Sequence, residues 1–159
     1  MSLPGTAYSA SLAALGAQFE AAVLGTPTGA PAIRDVFPTS AKGIATLPAI
    51  ILEPQPSTLT NNAGQWRHEW NVDVILLLAK RPADPVRVEA QRQAYVPYLL
   101  GATEAKPKLG IGAQVNWELK SAMPTNWEYD LYSVADTEFD AVRVGYQIIV
   151  NETVSLGTS

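Results

Sequence analysis

At 159 residues with a net charge of −4, the chain has the size of one domain, residues 1–159. A chain of that length can bury roughly 70% of the surface its unfolded form exposes. It has no cysteine, which removes disulfides, thiolate nucleophiles and cysteine-based zinc sites and fits function without an oxidising compartment. No basic run exceeds the pair Lys80-Arg81, which argues against a surface built to neutralise nucleic-acid phosphates.

The first 25 residues lack a basic leader, and Gln18 and Glu20 interrupt their apolar residues, so neither a signal peptide nor a membrane span is expected and the protein reads as soluble. Ser9 or Ser11 can N-cap a first helix carrying Leu12, Leu15, Phe19 and Val23 on one stripe, with Gly25 where a C-terminal glycine cap belongs. The ordered core is expected from about residue 9 to residue 154, with flexible termini. After a Pro/Gly break at 26–31, residues 34–37 can form a short strand, and 47–53, LPAIILE, a stronger one. Residues 54–64 read as a polar connection too long for a tight hairpin, either a mobile surface loop or an arm that orders against a neighbour.

Residues 66–79, WRHEWNVDVILLLA, change character along one strand. Trp66, His68, Trp70, Val72 and Val74 share one face, while Arg67, Glu69, Asn71 and Asp73 share the other. From Val74 to Ala79 both faces turn apolar, so that half must be covered twice, by a helix or by another subunit. Asp84 is a good N-cap and Pro85 suits the first helical position, so a second helix should run toward Leu100, with Pro97 kinking or shortening it. Tyr95 and Tyr98 fit its packing face better than an acid catalyst.

Three further strands are expected: around Val115, Trp117 and Leu119; at 127–134; and at 141–150, where Gly145 hints at a bulge or a close neighbour. The last two form a hairpin around an acidic turn at 135–140. Helix, two or three strands, helix and three strands amount to an α+β fold, a mostly antiparallel sheet with two helices packed on one face. Four tryptophans exceed what two covering helices need, which makes Trp66, His68, Trp70 and Trp117 candidates for a subunit interface.

Reactive constellations are sparse. The single histidine, His68, lies mid-strand, away from any nucleophile-elbow motif, and Gly110-Ile111-Gly112 lacks the strand-to-helix context of a phosphate cradle. Glu128 and Asp130, two apart on a strand face, can pair around a hard cation or simply face solvent, and the second reading is the stronger. No catalytic residue, metal site or cofactor is assigned. Glu128, Asp130, Asp136, Glu138 and Asp140 occur with no basic residue between Trp127 and Ala141, so this stretch is either a solvated hairpin or a deliberately anionic surface.

The order of elements resembles the tail-terminator (tail-completion) proteins of long-tailed bacteriophages over residues 9–154. The resemblance rests on the helix at 11–24, LPAIILE at 47–53, the strand at 70–79, the Asp84-Pro85 helix start and VRVGYQIIV at 142–150. It implies a virion structural protein, not an enzyme, assembled in the host cytoplasm and placed at the head-proximal end of the tail. There a homohexameric ring would cap the tail tube, end its polymerisation and meet the head-side connector, with DNA passing through the lumen unbound. In that setting the five acids are expected at the lumen or its rim, where charge repels DNA. Other neck, head-closure or tube subunits share this style of fold, and a small-molecule-binding module with aromatic walls is a reading from another class.

Overall fold

Seven elements follow one another: α1 (Pro4–Ala22), β1 (Asp35–Phe37), β2 (Ala49–Asn62), β3 (Gln65–Lys80), α2 (Pro85–Gly101), β4 (Trp117–Val134) and β5 (Thr137–Thr153). The computed structural model describes residues 4–22, 35–37, 47–111, 113–114, 116–134 and 136–153. The strands form one five-stranded sheet in the order β1-β2-β3-β5-β4. Every pairing is antiparallel except β1 with β2. The fold is α+β.

Both helices pack on the same sheet face. Leu12, Leu15 and Phe19 of α1 and Val88, Tyr95, Val96 and Leu99 of α2 join Leu52, Val72, Val74, Leu76, Val144, Tyr146 and Ile148 in the main core. The opposite, outer face carries a smaller buried cluster at one end: Ile51, Ile75, Leu77, Phe139 and Ala141, flanked by Leu47, Tyr132 and Val134. This is why residues 74–78 are apolar on both sides, since Val74, Leu76 and Leu78 meet the helix side while Ile75 and Leu77 fill the outer cluster. A second subunit is not needed to bury them. Each such side chain contributes about 1.5–3 kcal/mol of burial.

Helix α1 begins at Pro4, five residues before Ser9, with proline in the first turn where its missing N–H costs nothing. Ser11 is therefore internal and buried. Val23 and the Gly25 cap, like the 155–159 tail, lie outside the described residues. In α2, Asp84 caps the helix by accepting from the Val86 N–H at 3.1 Å. Pro97 does not end the helix, because Pro97 and Gln93, whose carbonyl loses its donor, both face solvent.

One connection expected as a loop is strand. Residues 54–62 continue β2, with a register shift between Gln55 and Thr58 after Pro54 and Pro56. A two-residue turn, Ala63 and Gly64 with φ of 48° and 86°, closes the hairpin onto β3. Two positive φ values mark the turn geometry whose twist suits a tight hairpin. The polar composition reflects an outer strand of the sheet, not a loop.

Likewise the two strands expected around residues 115–120 and at 127–134 are one strand, β4, with register shifts between Leu119 and Ser121 and between Pro124 and Asn126. Val115 lies outside the described residues. β4 is an edge strand, so Pro124 removes no bond from an interior ladder. The β4–β5 turn is shorter than the acidic segment, for Asp136 stands at it with φ 62° while Thr137 already belongs to β5. Gly145 has its close neighbour: a Cβ there would lie 2.5 Å from Asn126 Oδ1, at the second irregularity of β4.

Candidate assembly surfaces

Three of the four interface candidates are core residues. Trp70 is 8% exposed, with Tyr8 of α1 edge-on at 5.0 Å and His68 stacked at 4.9 Å. The additional N-terminal turns of α1 are what bring Tyr8 over Trp70. Trp117 and His68 are also buried, and only Trp66 is half-buried. Cross-strand pairing puts Trp66 and Trp117 on either side of Glu152. Glu152 is buried, its Oε1 3.6 Å from His68 Nε2. His68, Trp70 and Trp117 thus tie the sheet to its own helix side and leave little surface for a neighbour. His68 lies against a carboxylate and aromatic rings in the sheet interior.

The five acids do not form one surface. Glu128 and Asp130 lie on the outer face, Glu138 and Asp140 point to the helix side, and Asp136 sits at the turn between them. Cross-strand partners also supply the positive charge that the linear stretch lacks. On the outer face Arg143 of β5 binds Asp130 at 2.8 Å and Asp73, and approaches Glu53 at 3.7 Å and Glu128 at 3.9 Å. Burial alone would lower the Arg143 pKa, yet hydrogen bonds to Asp130 and Asp73 outweigh it and raise the group above its ordinary value. On the helix side Asp140 is buried, with Arg92 of α2 at 3.4 Å and Arg81 at 3.9 Å. Among the described residues, what remains uncompensated is the outer-face row, four carboxylates to one guanidinium.

The exposed aromatic surface lies elsewhere. On β4, Trp127, Tyr129 and Leu131 are 46%, 40% and 46% exposed, all on the helix side but beyond the cover of α2. The Trp127 and Tyr129 rings meet at 5.5 Å, and the Arg92 guanidinium lies 4.9 Å over Tyr129. A groove of about 480 Å³ runs here between Arg81, Arg92, Tyr129, Leu131 and Asp140. The sequence does carry the signal, an apolar residue at every second position through WEYDL, but it becomes a surface only because β4 is an edge strand.

Tyr95 and Tyr98 pack in α2 as expected, with rings at 6.5 Å. Burial pushes each hydroxyl up to about 12, with the neighbouring Tyr98 adding to the shift at Tyr95. Among the described residues, no group of three or more histidines and carboxylates is arranged to hold a metal, and no helix is long and apolar enough to cross a membrane. The cleft of about 300 Å³ that Trp117 borders is mostly polar, Ala113 being the other apolar residue among Gln65, Gln114, Asn116, Glu118 and Lys120. No protein-family model matches the chain, and no curated protein matches it.

Proposed function

We propose that the chain is a structural subunit of a phage tail. In this reading it forms a ring that caps the tail tube, stops its polymerisation and joins it to the head-side connector, with DNA passing through the lumen. The observation that carries the reading is the pair of open sheet edges. β4 ends the sheet on one side, its outer edge open beyond Ala122, whose N–H donates to the Pro107 carbonyl, and on the other β1 covers only Ala49, Ile50 and Ile51 of β2, leaving the rest of that strand's outer edge open among the described residues. β2 and β4 run in opposite directions across the sheet. The sheet of one copy can therefore continue antiparallel into the next, head to tail, which is the association type that closes rings. A homohexamer is the closure the family resemblance implies.

Light scattering and negative-stain microscopy of the purified protein, alone and with tail tubes, test this. Rings alone or on tube ends are the expected result. A monomer at all concentrations that also ignores tubes rejects the reading.

A further inference from the structure

We infer that the outer half of β4, residues 126–132, is a recognition edge for an extended segment of a different polypeptide in which apolar and basic side chains alternate. This inference does not rest on the ring reading and competes with it for one edge, since a strand seated on residues 126–132 keeps β2 of a neighbouring copy off them. Three observations converge on one strand. Its outer edge has no partner in the sheet. Its helix-side row, Trp127, Tyr129 and Leu131, is the densest run of exposed large apolar side chains among the described residues. Its outer-face row, Glu128 and Asp130, belongs to the cluster in which, among the described residues, Glu53, Asp73, Glu128 and Asp130 share Arg143 alone.

The two rows specify the occupant. A strand laid against β4 places alternate side chains on opposite faces of the sheet, so residues meeting Trp127, Tyr129 and Leu131 must be apolar. Those beside Glu128 and Asp130 must be basic, since they supply the charge that Arg143 cannot provide for four acids. Glu128 is free for this, with its side chain 67% exposed and 3.9 Å from Arg143. The helix-side arginines are already turned inward, Arg92 onto Asp140 and Tyr129, so that row is recognised by its apolar surface.

Charge also argues against a second copy as the occupant through this strand. Two β4 strands paired antiparallel about Tyr129 would set Glu128 of each opposite Asp130 of the other, and a shift of two residues either way sets Glu128 opposite Glu128 or Asp130 opposite Asp130. Like charges directly opposite destabilise a strand pair. The acids thus act as guards against self-pairing while selecting a basic partner. The Leu131 N–H donates to the Asp130 carboxylate at 2.8 Å, a bond that any incoming strand must displace or pass over.

The test uses the full chain and two peptides of about seven residues, one alternating valine and lysine, the other valine and glutamate. Binding is followed by backbone amide shifts in NMR and by tryptophan fluorescence. The lysine peptide should perturb amides along 126–132, bind more weakly in high salt, and lose about tenfold in affinity in Glu128→Lys, whereas the glutamate peptide gains in that variant. A Glu128→Gln variant, altering an exposed side chain without reversing its charge, should give an intermediate loss. Equal binding of both peptides, perturbation centred elsewhere, or no binding overturns the inference. So does rapid disulfide dimerisation of Trp127→Cys, the chain's sole cysteine in that variant, because it would place a second copy on this edge.

Discussion

Replacing Trp70 by alanine separates a core role from an interface role. Trp70 is 8% exposed, wedged between Tyr8 and His68, and part of the main core. Truncating a buried tryptophan removes its transfer free energy and leaves a cavity, about 3–5 kcal/mol together. The two aromatic contacts lie within that figure at about 0.5–1.5 kcal/mol each. For a chain of this length each kcal/mol moves the melting temperature by about 2–4 °C, so Trp70→Ala should melt about 6–20 °C lower. Trp127→Ala, on the exposed edge, should stay within about 1 kcal/mol of the parent. Thermal unfolding followed by far-ultraviolet circular dichroism, at two protein concentrations, reads both. The concentrations matter because association raises apparent stability by mass action. If Trp70→Ala melts with the parent, or Trp127→Ala costs as much, the packing of α1 on the distal sheet is wrong and the interface reading of Trp70 returns.

Gly145→Ala should destabilise by less than about 1 kcal/mol, because its Cβ would stand 2.5 Å from Oδ1 of Asn126, an exposed side chain that can swing aside. Adding Asn126→Ala should recover most of that loss, and a double-mutant cycle by urea unfolding that shows simple additivity refutes the contact. Asp84→Ala should cost about 1 kcal/mol through loss of the cap on the Val86 N–H, with an unchanged urea midpoint as the contrary outcome. Tyr95 and Tyr98 are raised to about 12 in the folded chain from 10.0, so the folded state resists their ionisation more than the unfolded state does. Their contribution is whole below pH 10 and is lost as pH climbs from 10 toward 12. Stability should fall across that window, and phenolate absorbance that rises freely at pH 10 in a fully folded protein would contradict it.

The elements that depend on local pattern were legible in the residues. Asp84-Pro85 announced α2, alternation through residues 66–74 announced β3, and the doubled apolar pattern at 74–78 announced burial on both faces. What was not legible depends on pairing. Pro54, Pro56 and a polar run made residues 54–62 read as a loop, because side-chain preference says little about an outer strand whose backbone is held by β3. Pro124 and the register shifts split β4 into two apparent strands for the same reason. Trp70 reads as surplus when α1 starts at Ser9, because the turn that brings Tyr8 over Trp70 is then missing. The acidic segment read as unpaired because its counter-charges, Arg143, Arg92 and Arg81, come from β5, from α2 and from the turn after β3, none of them within the segment.

That last point changes what the acids can do. A lumen or rim that repels DNA requires carboxylates turned to one side, whereas strand alternation sends Glu128 and Asp130 to one face and Glu138 and Asp140 to the other. Asp140 is buried under two arginines and contributes little field beyond them. Any repulsive surface must therefore come from the outer face, where Glu53, Asp73, Glu128 and Asp130 outnumber Arg143. If that face lines a channel, Arg143→Met should strengthen exclusion of DNA while loosening the sheet, since it removes the one cation those four share. A partly exposed ion cluster of this kind stabilises by about 1–3 kcal/mol. The two effects have opposite signs and separate readouts, retention of short DNA by assembled rings for the first and unfolding for the second. An Arg143→Met protein whose rings retain DNA no differently would remove the outer face from consideration as a lumen wall.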